Sequence, residues 1–175
     1  LFRDVERLKR ILNNPRMPLQ IVIAGKAHPK DQPGKTLIHD IVALSRDPDI
    51  SKRLVFVEDY GIQVAREMVQ GVDLWLNNPR RGEEACGTSG MKASMNGVLS
   101  LSVLDGWFDE AYELSGGWAI GDRAPYSEDQ DDLHASSIYS TLEYEILPLF
   151  YQNQDADEDI PTEWVRRMKT CIANL

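Results

Sequence analysis

The chain has 175 residues, 42% hydrophobic and 27% charged, which suits one globular domain with its own core. A formal net charge of −9 and a pI near 4.8 exclude a general binder of nucleic acid or of a membrane surface, because the long-range field repels polyanions. No apolar run approaches the roughly 20 residues that a membrane-spanning helix needs, and the opening LFRDVERLKRILNN is charged and amphipathic, unlike a signal peptide.

Leu1, Val5, Leu8, Ile11 and Leu12 recur at helical spacing, so residues 2–14 are predicted to be a helix, ended by Asn13-Asn14-Pro15. The chain begins inside this pattern and without Met, so it is read as a piece of a longer protein. LQIVIAG (19–25) is a short β-branched run and is predicted to be a buried parallel strand. A polar loop (26–34) and a helix (35–47) follow, then a strand (53–60), a helix (61–71) and a strand (73–79) ended by Pro79. Residues 88–96 read as a helix, 98–105 as a strand, and 105–122 as a loop bearing glycine and aromatic residues. Residues 129–152 and 161–174 read as closing helices, with the acidic run 128–132 a solvated helix start and DADED (155–159) a solvated linker. Alternation of strand and helix is the pattern of a doubly wound α/β sheet, in which ligands sit beyond the carboxyl ends of strands. The loops 25–34, 58–62 and 78–90 are therefore the places to look.

The third of these runs into EEACGTSGMKASMNG (83–97). Gly87 and Gly90 permit backbone geometry that other residues resist. Thr88 and Ser89 offer hydroxyls at a helix start, where free N–H groups attract anions. The same residues also serve as a plain N-cap. Lys92, about one turn in, is opposed by the partial positive charge of a helix start. It reads either as a lysine with an anionic or covalent partner, for which pyridoxal phosphate supplies both phosphate and aldehyde, or as a solvent-facing lysine. Glu83 and Glu84 read either as acceptors for sugar hydroxyls or as solvated charges.

Other candidates carry less. GKAHPKDQPGKT ends like a phosphate loop, but position 29 is proline where that motif needs glycine. His28 and His39 lack any Cys/His spacing suited to zinc, and a supporting cleft role for Lys26 and His28 competes with a plain polar loop. Trp75, Trp107, Trp118 and Trp164 are expected in core or cleft-wall packing. Two cysteines, Cys86 and Cys171, make no disulfide framework, and a reduced cytoplasmic setting is the simpler expectation.

The segments IAGKAHPKD (23–31), VFVEDYGIQVAREMVQGVDLWLNNPRR (55–81), EACGTSGMKASMNGVLSLSVLDGWFDEAY (84–112) and GWAIGD (117–122) resemble, in that order, the α-glucan phosphorylases of glycogen, starch and maltodextrin metabolism. The wording is closer to the shorter, mostly prokaryotic branch. The resemblance implies two Rossmann-like domains facing across a cleft (the GT-B glycosyltransferase architecture), with residues 1–175 part of the C-terminal one and 129–175 its helical end. It implies pyridoxal 5′-phosphate held by Lys92 as a Schiff base. Gly87, Thr88 and Ser89 match positions that hold the cofactor phosphate and the reacting glucose. Glu84 matches the carboxylate that bonds a hydroxyl of the glucosyl unit, Ala85, Cys86 and Gly87 match the sugar-lining positions around it, and Tyr60 matches a residue packing near the cofactor. The implied reaction is reversible phosphorolysis of α-1,4-glucan by phosphate to α-glucose 1-phosphate, in a full-length homodimer.

The family's basic cluster, Lys-Arg followed by Tyr-Lys, does not precede residue 19: Lys9 and Arg10 are present without it. Gly61 stands where animal enzymes carry arginine, and Cys86 where serine is common. The 175-residue piece alone is therefore expected to be inactive. A nucleotide-sugar glucosyltransferase of glycogen synthase type would place glutamate at position 92, and Glu84-x7-Lys92 favours the cofactor reading. The intact 84–92 block argues against a non-catalytic glucan-binding relic. An aminotransferase use of the cofactor lacks an assignable aspartate and arginine.

Overall fold

In the computed structural model, residues 1–152 and 161–175 are described, so the expected linker at 155–159 lies outside them. They form two compact units, Phe2–Ala65 and Arg66–Leu175, the latter with Leu1.

The first unit holds α1 (Val5–Leu12), β1 (Ile21–Ala24), α2 (Gln32–Leu44), β2 (Leu54–Val57) and the first turn of α3 (Ile62–Gly71). The strands pair in parallel, Ile21 opposite Leu54 and Ala24 opposite Val57. α1 starts where the Asp4 carboxylate accepts the Arg7 N–H, and it buries Leu8, Ile11 and Leu12. Lys9 reaches Asp47 at 2.8 Å and Asp49 at 3.2 Å, so this lysine ties α1 to the chain after α2 and is not part of an anion clamp. β1 is half-buried rather than the buried strand expected. Val22 and Val55 are register partners, both 39% exposed. α2 begins three residues before the expected boundary, because the Asp31 carboxylate caps it by accepting the Gly34 N–H at 2.9 Å, with Pro33 in its first turn.

The second unit carries β3 (Leu74–Asn77), α4 (Thr88–Met95), β4 (Leu99–Val103), α5 (Trp107–Ser115), β5 (Trp118–Ile120), α6 (Gln130–Thr141), a π-helical turn (Leu142–Ile146), α7 (Leu147–Phe150) and α8 (Thr162–Asn174). Its sheet has the order β3-β4-β5 and is parallel throughout, with Asn77 opposite Ser102 and Val103 opposite Ile120. Every residue of β4 is buried, as a central parallel strand requires. The buried Ser102 hydroxyl accepts the Asn77 side-chain N–H and donates to the Val103 carbonyl. α4, α5 and α8 pack on one another and on β4, and α6 packs on β5. The Trp118 and Trp164 rings stack at 5.8 Å between centroids, and Arg167 lies over Trp118, so these tryptophans are core packing.

One expectation is corrected in this unit. Residues 105–122 are not one loop: they form α5 and β5, separated by Gly116 in the left-handed conformation. The helix expected over 129–152 is present as α6, the π-helical turn and α7 in direct succession. Pro148 has no N–H to give the carbonyl four residues back, and the helix widens to a π turn just ahead of it. The α/β class with parallel sheets stands as expected.

Candidate functional site

The loop that leaves β3 carries the residues singled out above, and it is held from outside itself. It opens with a turn in which the Glu83 N–H bonds the Arg80 carbonyl and Gly82 has φ +91°, a conformation glycine adopts without strain. Asp105, just past β4, takes the Gly82 N–H at 2.8 Å and the Glu84 N–H at 3.0 Å on a single carboxylate oxygen. The Trp107 N–H then bonds the Cys86 carbonyl at 2.9 Å. Arg81 secures the start of the loop. Its guanidinium donates to the Leu104 and Arg123 carbonyls and to Asp109, which also receives Arg123 at 2.6 Å.

Glycine matters here by close approach. A Cβ on Gly106 would lie 2.7 Å from the Cys86 carbonyl oxygen, and Gly106 has φ +53°. A Cβ on Gly87 or Gly90 would lie 2.8 or 2.9 Å from the Trp107 indole. The two glycines, one capping α4 and one in its first turn, therefore admit the indole to the start of that helix, a purpose beyond loop flexibility. Beside the indole lies an open recess of about 430 Å³, lined by Ala85, Cys86, Met91, Gly106, Trp107, Glu110 and Ala111.

Burial pushes the Asp105 carboxyl up, but the bonds from Glu84, Gly82 and Gly106, with Arg81 nearby, outweigh it and hold the group below the usual carboxylate range. The site thus keeps a fixed negative charge at the foot of the loop, countered by arginine.

α4 begins with Gly87 as its cap, in the left-handed conformation (φ +85°), and no side chain caps its amides. Thr88 and Ser89 are the first two helical residues and are exposed, so the plain N-cap reading of them fails. Lys92 is exposed on the same helix. It does lie about one turn in. Because α4 has only 8 residues, Lys92 also falls in the last turn, where a cation is favoured, so the electrostatic opposition expected for it is absent.

Residues 1–116 match the family model described as carbohydrate phosphorylase. The chain belongs to the carbohydrate phosphorylase family. It is 49% identical over its whole length to glycogen phosphorylase of Aquifex aeolicus and spans 25% of that protein. It is 44% identical to maltodextrin phosphorylase of Thermococcus litoralis, spanning 20% of it, and 34% identical over 116 residues to the muscle form of glycogen phosphorylase of Mus musculus, spanning 14%. The region of this phosphorylase chain that matches the family model takes in the β3 loop, α4, and the Asp105–Trp107 turn that holds the loop.

Of the predicted site residues, Glu84, Ala85, Cys86, Gly87, Thr88, Ser89 and Lys92 are continuous along the held loop and α4. Glu84 is half-buried, and Ala85 and Cys86 are exposed. Cys86 and Cys171 are both free, one exposed and one buried. Tyr60 lies in the other unit, after β2, next to Asp59, the one described non-glycine residue with positive φ (+53°). The GKT stretch is the start of α2, where Lys35 donates to the Pro29 carbonyl, and it is no phosphate loop. Among the described residues no cluster of His, Cys, Asp or Glu suits a metal, and no helix is long and apolar enough to cross a membrane.

Sequence reasoning missed Arg81, Asp105, Asp109 and Arg123 as makers of the site, while Trp107 stands in the recess wall, as the expected cleft-wall packing has it. A signal existed: Gly106-Trp107 directly follows a predicted strand that ends at Asp105. It lay in a block read as loop.

Proposed function

We propose that this chain is the C-terminal Rossmann-like part, residues 1–175, of a cytoplasmic α-1,4-glucan phosphorylase. The full-length protein, a homodimer of GT-B architecture, cleaves terminal glucosyl units with inorganic phosphate and releases α-glucose 1-phosphate. One observation carries the reading: an uncapped helix N-terminus stands behind a loop pinned by Arg81, Asp105 and Trp107, with an exposed lysine on the same helix. The glycogen and maltodextrin phosphorylases to which the chain is 49% and 44% identical support it.

The donor set fits pyridoxal phosphate. The amides and hydroxyls of Thr88 and Ser89, behind Gly87, suit its phosphate, and the Lys92 amine suits its aldehyde. When bound, the cofactor supplies a phosphate that ionises near neutral pH, a group fitted to proton transfer. The chain's own part is to bind and orient. Glu84 accepts a hydrogen bond from a glucosyl hydroxyl. Ala85, Cys86 and Gly87 present backbone groups to the sugar, where fixed N–H donors stabilise developing charge without reorganisation. Tyr60 is assigned beside the cofactor on its motif. Lysine at position 92 leaves the glucosyltransferase alternative without its second glutamate.

The test is covalent. The chain is mixed with pyridoxal phosphate, reduced with borohydride and mapped by mass spectrometry, alongside the full-length protein. Labelling confined to Lys92 is expected in the full-length protein. Labelling scattered over surface lysines in both would overturn the reading. In parallel, full-length protein with glucan and phosphate is expected to release glucose 1-phosphate, and the 175-residue chain to release none.

A further inference from the structure

We propose that Asp105 is a positioning residue for phosphorolysis: it sets the place of Glu84 by holding that residue's backbone, and so acts through a group it does not replace. The inference rests on the function proposed above.

The topology makes the arrangement possible. β3 and β4 are adjacent and parallel, with Asn77 opposite Ser102. The chain leaving β3 therefore passes the carboxyl end of β4, where Asp105 stands. Its carboxylate takes two amides two residues apart, Gly82 at 2.8 Å and Glu84 at 3.0 Å. Two residues further on, the Cys86 carbonyl receives the Trp107 N–H. The segment 82–86 is thus fixed at three points to the turn 105–107, and Glu84 lies at the middle point.

Side-chain placement follows from the backbone. A Cβ on Gly106 would lie 3.0 Å from Glu84 Cγ, so the stem of Glu84 crosses the face of that glycine. With its amide held by Asp105 and its stem against Gly106, the carboxyl end of Glu84 has a restricted place to occupy. A charged acceptor holds two amides more firmly than a neutral one. A misplacement of about 1 Å at a reacting centre costs on the order of 100-fold in rate, and restraint of this kind guards against it. A carboxylate near a site for phosphate is electrostatically unwelcome, and Arg81, bonded to Leu104 and Asp109 beside it, offsets the charge.

The experiment is a double-mutant cycle in the full-length enzyme with Asp105→Asn and Glu84→Gln, reading kcat and KM for glucan with thermal unfolding as a fold check. Asp105→Asn is expected to lower kcat/KM at least 10-fold in the native background and less than 3-fold in the Glu84→Gln background, because the residue it positions is already disabled there. An equal factor in both backgrounds, or no loss, overturns the proposal. Should Asp105→Asn fail to fold, Asp105→Glu, which keeps the charge but moves it by one methylene, enters the same cycle. If the native protein shows no phosphorolysis, the functional reading falls on its own. Hydrogen exchange of peptide 80–87 in the full-length protein then decides. Exchange at least 10-fold faster in Asp105→Ala, with β4 unchanged, sustains the hold of Asp105 on the Glu84 backbone, and unchanged exchange overturns it.

Discussion

The loop after β1 and the loop after β3 both carry the chain from a parallel strand into a helix, yet they are held in different ways. After β1, Asp31 caps α2 from inside the loop, through a bond to Gly34 three residues on. After β3, the loop supplies no cap to α4, and beyond its own Arg80–Glu83 turn it is restrained by Asp105, Trp107 and Asp109, more than 20 residues away in sequence. A self-capped helix has already used one of its free amides, here that of Gly34. An uncapped helix behind an externally fixed loop keeps its amides oriented and available, as an anion site needs. The residues that stabilise the β3 loop are thereby separated from those left to act.

Gly106→Ala should break the comparison most severely. The new methyl meets backbone, the Cys86 carbonyl, at 2.7 Å and at a φ of +53° that L side chains rarely adopt, so the clash is not relieved by the turn of a side chain. We expect a loss of activity in the full-length enzyme on the order of 100-fold or more and loss of selective Lys92 labelling by the cofactor. Near-native kinetics would show that the turn can open without consequence. Asp31→Ala is the matching lesion in the first loop. It should cost about 1 kcal/mol, the usual worth of an N-cap, seen as faster amide exchange at the start of α2, and it should leave Lys92 labelling unchanged. If it abolished labelling, the two loops would not be independent.

The smallest effect sharpens the comparison by pH. The Asp105 carboxyl lies below its ordinary value in the folded chain. Its contribution is therefore complete above the unfolded carboxylate value of about 3.9 and fades as pH falls through the lower folded one. Hydrogen exchange of peptide 80–87, corrected for intrinsic rates, should quicken below about pH 4 in the native protein. In Asp105→Asn it should lack that pH-dependent step. A step of the same size in both would assign the acid sensitivity to another group.

The sequence by itself determined the alternation of strands and helices, because apolar periodicity and β-branched runs are local. It also determined the family and the block from Glu84 to Lys92, and with them the loop to inspect. Gly87 and Gly90 were legible as unusual backbone positions, but not as the seat of the Trp107 indole. Tertiary structure alone decided that β1 would be only half-buried, since burial depends on what else covers a sheet. It alone decided that Gly87 caps α4 in place of Thr88 or Ser89. It converted a glycine- and tryptophan-bearing stretch, with no clean helical period, into α5 and β5. Above all it joined Asp105 to Gly82 and Glu84. That bond spans more than 20 residues, and local pattern cannot register it, because it exists only once β3 and β4 lie side by side.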